Sequence, residues 1–333
     1  MTRPEISIVI PTFDRPDRLR RALEGASRHH DGVSIEIVIV DDGSPDAASV
    51  AEVIATATRE SSVRVALVRQ ANQGPAAARN AGASAAVGPV LLFLDDDCVP
   101  DPGCIGIHRD MQATAAGMGD RVAIMGHARW DPELPVTPLM HVAMRGAQFD
   151  YDGIADLNDV PFTRFYTACA SVPRDRFLEV GGFDASLPRY AAGKDTEFAW
   201  RWVQGGGRIA YRPDATVRHD HHLELRPFLE RQRRAGRAAV EVVARHPELF
   251  EALGLDAIAD VGAREQFYVA LMRYAWIIGV EEGLGALARP DDLPGEHLRS
   301  VVDDWLPAWA VTAASERRAW QRRAEALTVA VAD

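Results

Sequence analysis

Cysteine is scarce in this chain. Three residues, Cys98, Cys104 and Cys169, stand among 333, with no CxxC pair and no metal-finger spacing. A sparse, odd count excludes a disulfide-stapled scaffold and suits a reducing compartment. Long apolar runs are also missing. The most apolar later stretch, "FYVALMRYAWIIGV" (Phe267 to Val280), is broken by Arg273 and falls short of the roughly 20 residues that cross a bilayer. The opening "MTRPEISIVIPTFDRP" has too short an apolar part for a signal peptide and no small-residue cleavage site. Positive charge is in deficit: 37 Lys and Arg against 48 Asp and Glu leave a net −11. That balance speaks against nucleic acid or an anionic membrane as partner of the whole molecule. We therefore expect a cytoplasmic protein, at most peripheral to the inner face of a membrane. The remainder is ordinary globular composition, enough for one large domain or for about 200 residues plus an extension.

What is present alternates between two periodicities. "ISIVI" (6–10), "IEIVIV" (35–40), "VRVALV" (63–68) and "VLLFL" (90–94) read as strands. The second and fourth are nearly continuous in apolar content, as strands covered on both faces are. Helical segments follow the first three: "DRPDRLRRALEGA", "SPDAASVAEVIATA" and "GPAAARNAGASAA". Ser44 is the expected N-cap of the second, with Pro45 at its first position. This predicts an α/β fold with a mostly parallel central sheet flanked by helices. Later, "VAIMGHARW", "FYTACASV" and "GRIAYRP" read as strands and "RDRFLEV" as a short helix. "DTEFAWRWVQGG" reads as a helix with Phe198, Trp202 and Val203 on one face. After His222 the pattern turns helical and Arg/Ala-rich. We expect one domain over 1–222 and a helical C-terminal extension over 223–333, whose Trp305, Trp309 and Trp320 pack on that domain or on a second subunit.

In parallel sheets, ligands bind beyond the carboxyl ends of the strands. The segments there are "PTFDRP", "DDGSPD", "RQANQGPAAARN" and "DDDCVPDP". All are polar or turn-forming, so one rim collects them. In an extended segment Asp95 and Asp97 would point the same way. Two carboxylates about 4 Å apart at an effective dielectric near 20 repel by roughly 4 kcal/mol, which a divalent cation, Mn²⁺ or Mg²⁺, would relieve. "VRHDHH" places His219, His221 and His222 after the last strand as further ligand candidates, with His219 preferred. "ERQRRAGRAA" sets Arg231, Arg234 and Arg237 at helical spacing, a solvated face or one that meets an anionic lipid surface or a diphosphate. The "RQANQGPAAARN" loop carries neither GxxxxGK nor GxGxxG.

"SIVIPTFDRPDRL", "IVIVDDGSPD", "NQGPAAARNAG", "LLFLDDDCVPDPG", "FLEVGGFD" and "GKDTEFAWR" stand in an order and spacing that resembles glycosyltransferase family 2, with the GT-A fold. The likeness spans about residues 5–222, with a nucleotide-sugar half over about 1–100 and an acceptor half over about 101–222. It implies an inverting enzyme that moves a sugar from a nucleotide-sugar donor, UDP-sugars favoured, to an acceptor hydroxyl. Pro11, Thr12, Asp41 and Asp42 match the positions that hold the nucleotide, and Arg79 the segment alongside it. Asp95 and Asp97 match the DXD motif that binds the ribose and, through the metal, the diphosphate. Asp96 between them joins the donor set, and His219 the metal set. Asp195 holds the position of the catalytic base. Lys194 replaces the usual acidic neighbour, and a cation there would lower the base's pKa. Asp184 and Trp200 are candidates for sugar or acceptor contacts, and Gly181–Gly182 for a close backbone approach to substrate.

The acceptor is not encoded legibly: saccharide, lipid-linked, peptide and natural-product acceptors stay open, as do peripheral membrane contact and a homodimer through the C-terminal helices. A sugar-phosphate nucleotidyltransferase would place a glycine-rich basic loop after the first strand, where "PTFDRPDRL" has no glycine. A non-catalytic sugar-nucleotide binder would not need both Asp97 and Asp195.

Overall fold

The computed structural model describes residues 3–144, 148–187 and 193–256. These lie in one compact unit, Met1–Asp256. The apolar stretch at 267–280 and the three C-terminal tryptophans lie outside the described residues.

The elements in chain order are β1 (Ile6–Thr12), α1 (Pro16–Arg28), β2 (Ile35–Asp41), α2 (Ala47–Glu60), β3 (Arg64–Arg69), α3 (Pro75–Ala85), β4 (Val90–Leu94) and β5 (Cys98–Pro100). They continue with α4 (Cys104–Gly117), β6 (Val122–Trp130), α5 (Pro138–Val142), β7 (Cys169–Pro173), α6 (Arg174–Glu179), α7 (Lys194–Gln204), β8 (Arg208–His219) and α8 (Leu225–Arg245). One eight-stranded sheet runs β3-β2-β1-β4-β7-β6-β8-β5. β1 through β4 are mutually parallel, β7 is antiparallel to β4 and β6, and β5 is antiparallel to β8. The expected α/β architecture is present, with its first half wholly parallel.

Burial follows the sequence pattern. Every residue of β1 and β2 is buried, while edge strand β3 alternates between half-buried and exposed positions. α3 lies close on the sheet because Gly82 has no side chain; a Cβ there would sit 2.3 Å from Val9 Cγ1. The second helix starts later than its sequence suggests. Asp46 caps it by accepting from the Ser49 N–H at 3.1 Å, while the Ser44 hydroxyl accepts from the Asp14 N–H. Ser44 is thus tied to the turn after β1, and Asp46 takes the capping role one residue before Ala47.

Strand order reverses beside β1: β2 and β3 extend to one side, β4 returns on the other. A crevice opens at such a switch point, beyond the strand ends. The second half closes on the first by long-range pairing. Leu94 lies opposite Cys169, and Cys98 opposite His219. Between those two ladders the chain turns through Asp95, Asp96 and Asp97, closed by the Cys98 N–H donating to the Asp95 carbonyl at 3.0 Å.

Candidate active site

A cavity of about 410 Å³ occupies the switch point, lined among others by Pro11, Thr12, Asp42, Arg79, Asp95, Asp96 and Asp97. Seven of the residues singled out from the sequence therefore meet in one place. Asp41 lies beneath it: its carboxylate accepts from the Ser44 N–H at 2.9 Å and shapes the turn. Asp42 accepts from the Gln73 and Gly74 N–H groups at 2.9 and 2.7 Å and from the Gln70 amide. It pins the loop that leads into α3.

The three aspartates diverge instead of aligning. Period-two alternation holds for extended chain, and residues 95–97 form a turn. Asp95 takes the Arg79 guanidinium at 2.5 Å. Asp96 accepts from the Thr12 hydroxyl at 2.8 Å and faces Arg15 at 3.3 Å. Asp97 points the other way, with His219 Nε2 3.3 Å from Oδ1 and His221 Nδ1 3.1 Å from Oδ2. Ligand atoms of Asp97, His219 and His221 all fall within 4.8 Å of one another. The structure thus joins His219 to Asp97, adds His221 to them, and assigns Asp95 to Arg79. His222 is exposed on a neighbouring cavity of about 700 Å³.

Electrostatics are tense here. Burial, then the Asp97 charge, push the Asp96 carboxyl up to about 7. Burial works to raise Asp97 too, yet the charges and hydrogen bonds of His219 and His221 hold it well below the usual carboxylate range. Crowded, buried carboxylates of this kind are what a dication relieves. The ring of His219 is held by stacking on Trp130 at 5.3 Å and 10°. One carboxylate and two imidazoles fit a divalent transition metal, and they fit Mg²⁺, which takes oxygen, less well.

Asp195 approaches from α7. Phe198 and Trp202 bury one face of that helix, and Asp195, three residues earlier, shares the face. Its Oδ2 accepts from the Thr167 hydroxyl at 2.9 Å and the Thr167 N–H at 3.1 Å. Burial raises its carboxyl, with Arg79 the main counterweight. This reverses the direction expected from Lys194. The cation that steadies Asp195 is Arg79, from α3. Lys194 is itself 4% exposed, its ammonium is depressed by burial and by Arg79, and its Nζ has no hydrogen-bond partner among the described residues.

Asp184 and Trp200 do not line the cavity. Asp184 accepts from the Ser186 N–H and hydroxyl and from Arg245. Trp200 lies two positions before Trp202, hence on the far side of α7, and packs on His246 with ring centroids 4.9 Å apart. Both help seat the end of α8. Gly181 and Gly182 have positive φ, and Gly182 lies against Asn80, whose amide pairs with the backbone of Phe183. That glycine permits a close approach to Asn80, not to a ligand.

Sequence reasoning missed Phe13, Arg15, Arg18 and Asn72. Arg15 and Arg18 reach Asp97 at 3.5 Å each. Their signal was available: two cations in the first turn after β1, opposite an acidic rim. Arg231 of α8 feels the charges of Asp97, Asp95 and Asp195. It lines the second cavity with Arg15, Arg18 and His221. Two arginines of the helical stripe, Arg231 and Arg234, thus line this second cavity.

Comparison with known proteins gives a consistent picture. The profile of Glycosyl transferase family 2 matches residues 7–116. A pre-mycofactocin glycosyltransferase of Mycobacterium tuberculosis is 27% identical over 290 residues, covering 85% of this chain and 54% of that protein. A validoxylamine A glucosyltransferase of Streptomyces hygroscopicus subsp. jinggangensis is 29% identical over 225 residues, covering 60% and 51%. The chain spans about half the length of these curated relatives. A mannosyltransferase of Pyrobaculum calidifontis, solved with GDP-Man and Mn²⁺, superposes with a TM-score of 0.56 at 17% identity, covering 93% of this chain and 87% of that one. At that identity the likeness bears on the fold.

Proposed function

The chain belongs to glycosyltransferase family 2 and is built on the GT-A fold; from that premise we propose that it transfers a sugar, with inversion and metal dependence, from a nucleoside-diphosphate sugar to an acceptor hydroxyl. The observation that carries this reading is the meeting of Asp97, His219 and His221 within 4.8 Å, beside a cavity lined by Thr12, Asp42 and Arg79. The first three would hold the cation, Mn²⁺ before Mg²⁺ because two donors are imidazoles. When bound, it supplies positive charge to the diphosphate leaving group.

The chain's own residues account for the rest. Pro11, Thr12, Phe13 and Asp42 line the place for the nucleoside, with UDP-sugars the first donors to try. Arg15, Arg18 and Arg231 surround the place for the diphosphate and stabilise its growing charge. Asp195 is the general base. Thr167 fixes Oδ2, which leaves Oδ1 to take the acceptor proton, and a carboxyl raised by burial is a better proton acceptor than a solvated one. A single base opposite the leaving group gives inversion. The sheet-bearing part, 1–222, would carry the chemistry, and the extension over 223–333 would lend it Arg231. The relatives' names favour a small natural-product acceptor.

A thermal-shift series with UDP, GDP and their sugars, each with Mn²⁺ and with chelator, tests the reading. A ligand at about 100 times its Kd adds about 2.7 kcal/mol of stability. Stabilisation by at least one nucleotide sugar, lost in chelator, is expected. Equal stabilisation without metal would remove the cation from the account.

A further inference from the structure

Three more ligating side chains, none of which lines either arginine-bearing cavity, converge elsewhere in the fold. Cys104 and His108 lie one turn apart on α4, and Cys169 opens β7. All three are buried, at 0%, 0% and 2% exposure. Cys104 Sγ is 3.7 Å from Cys169 Sγ, and His108 Nε2 is 3.3 Å from Cys169 Sγ. Zinc bonds thiolate at about 2.3 Å and imidazole at about 2.0–2.1 Å, so tetrahedral ligation sets two sulfurs about 3.8 Å apart and sulfur and nitrogen about 3.5 Å apart. The observed separations are close to those edges.

The surroundings orient the ring as a metal-bound histidine is oriented. His108 Nδ1 is 2.8 Å from the Ser171 hydroxyl, which also accepts from Gln112 Nε2 at 3.1 Å. That engages Nδ1 and turns Nε2 toward the sulfurs, as an outer-shell partner does. Gly126 faces the same point: a Cβ there would lie 2.9 Å from Cys169 Sγ and 3.3 Å from His108 Nε2. Charge also balances, since two thiolates neutralise a dication in an apolar core, where a net charge would be costly.

We propose that Cys104, His108 and Cys169 form a binding site for a divalent thiophilic cation, zinc first, independent of the cation at Asp97. Binding replaces two S–H bonds with two metal–sulfur bonds and releases two protons. Among the described residues the cluster supplies three ligands, the number that leaves a position for water. The ion would tie α4 to β7 two residues from Thr167, the partner of Asp195.

Co²⁺ titration of the full chain tests this, because only thiolate ligation gives an intense sulfur-to-metal band in the near ultraviolet, which the Asp97 cluster cannot produce. We expect one equivalent of thiolate-bound Co²⁺, displaced by Zn²⁺, retained in Asp97→Asn and absent in Cys104→Ser and Cys169→Ser. Ser171→Ala should weaken Zn²⁺ binding about 10- to 100-fold without abolishing it. Should the cysteine variants not fold, Co²⁺ titration of Asp97→Asn decides: the thiolate band at one equivalent supports the site, and its absence counts against it. Uptake without the thiolate band, a band that survives Cys104→Ser, or a Cys104–Cys169 disulfide in the purified chain would overturn it.

Discussion

The two halves of the sheet build the site by different rules. In the parallel half, β1 to β4, each functional residue follows its own strand, so Thr12, Asp42 and Asp97 reach the crevice by local geometry. In the second half, nothing local brings His219 to Asp97. They meet because Cys98 pairs with His219 across a ladder of three residue pairs, with 120 residues of chain between. Thr167 and Asp195 meet in the same way, through the β4–β7 pairing and the packing of α7. Under the proposed function, the first half would place the donor, and the second would supply two of the three metal ligands and the base.

The largest effect should come from separating those duties. Asp195→Asn keeps the shape but removes the proton acceptor. Transfer should fall by about 10²- to 10⁴-fold, while the stabilisation by nucleotide sugar and Mn²⁺ stays at its wild-type value. Transfer at the wild-type rate would return the base assignment to another group. Asp97→Ala should do the reverse, abolishing the Mn²⁺-dependent part of donor binding, read by calorimetry with and without chelator. His221→Ala, which leaves Asp97 and His219 in place, should weaken Mn²⁺ less than Asp97→Ala does.

A subtler test crosses the halves through Arg79. The Asp195 carboxyl is raised above the ordinary range, so the base should be protonated and inactive on the acid side, and kcat/KM should climb as pH rises through that elevated value. Arg79 holds the carboxyl down, so Arg79→Met should move this acid limb to higher pH. A limb that stays put would mean that another group sets it. The smallest effect concerns Lys194, whose buried ammonium lacks a hydrogen-bond partner among the described residues. Lys194→Met should raise the melting temperature, a gain on the order of 1 kcal/mol, and weaken substrate binding if the ammonium meets an anion there.

The parallel half was legible in the sequence because each strand, its turn and its polar residues are contiguous; the four strand segments and the rim they share follow from periodicity, and the individual crevice residues from the family resemblance. The second half was less so. The tripeptide Asp95–Asp97 reads as extended chain until one knows that β5 folds back onto β8. His221 is indistinguishable from His222 by spacing. Trp200 resembles a substrate platform until α8 is seen covering it. In each case the deciding contact joins segments far apart in sequence, and no local pattern records it.

β5 itself is three residues long, and its brevity has a cost. Inserting or deleting one residue between Leu94 and Cys98 would either remake the turn that aims Asp97 or slip the Cys98–His219 register, and either change would swing Asp97 away from both imidazoles. That segment works as a spacer of fixed length: its residues can be exchanged with graded losses, but its residue count cannot change without disassembling the ligand set.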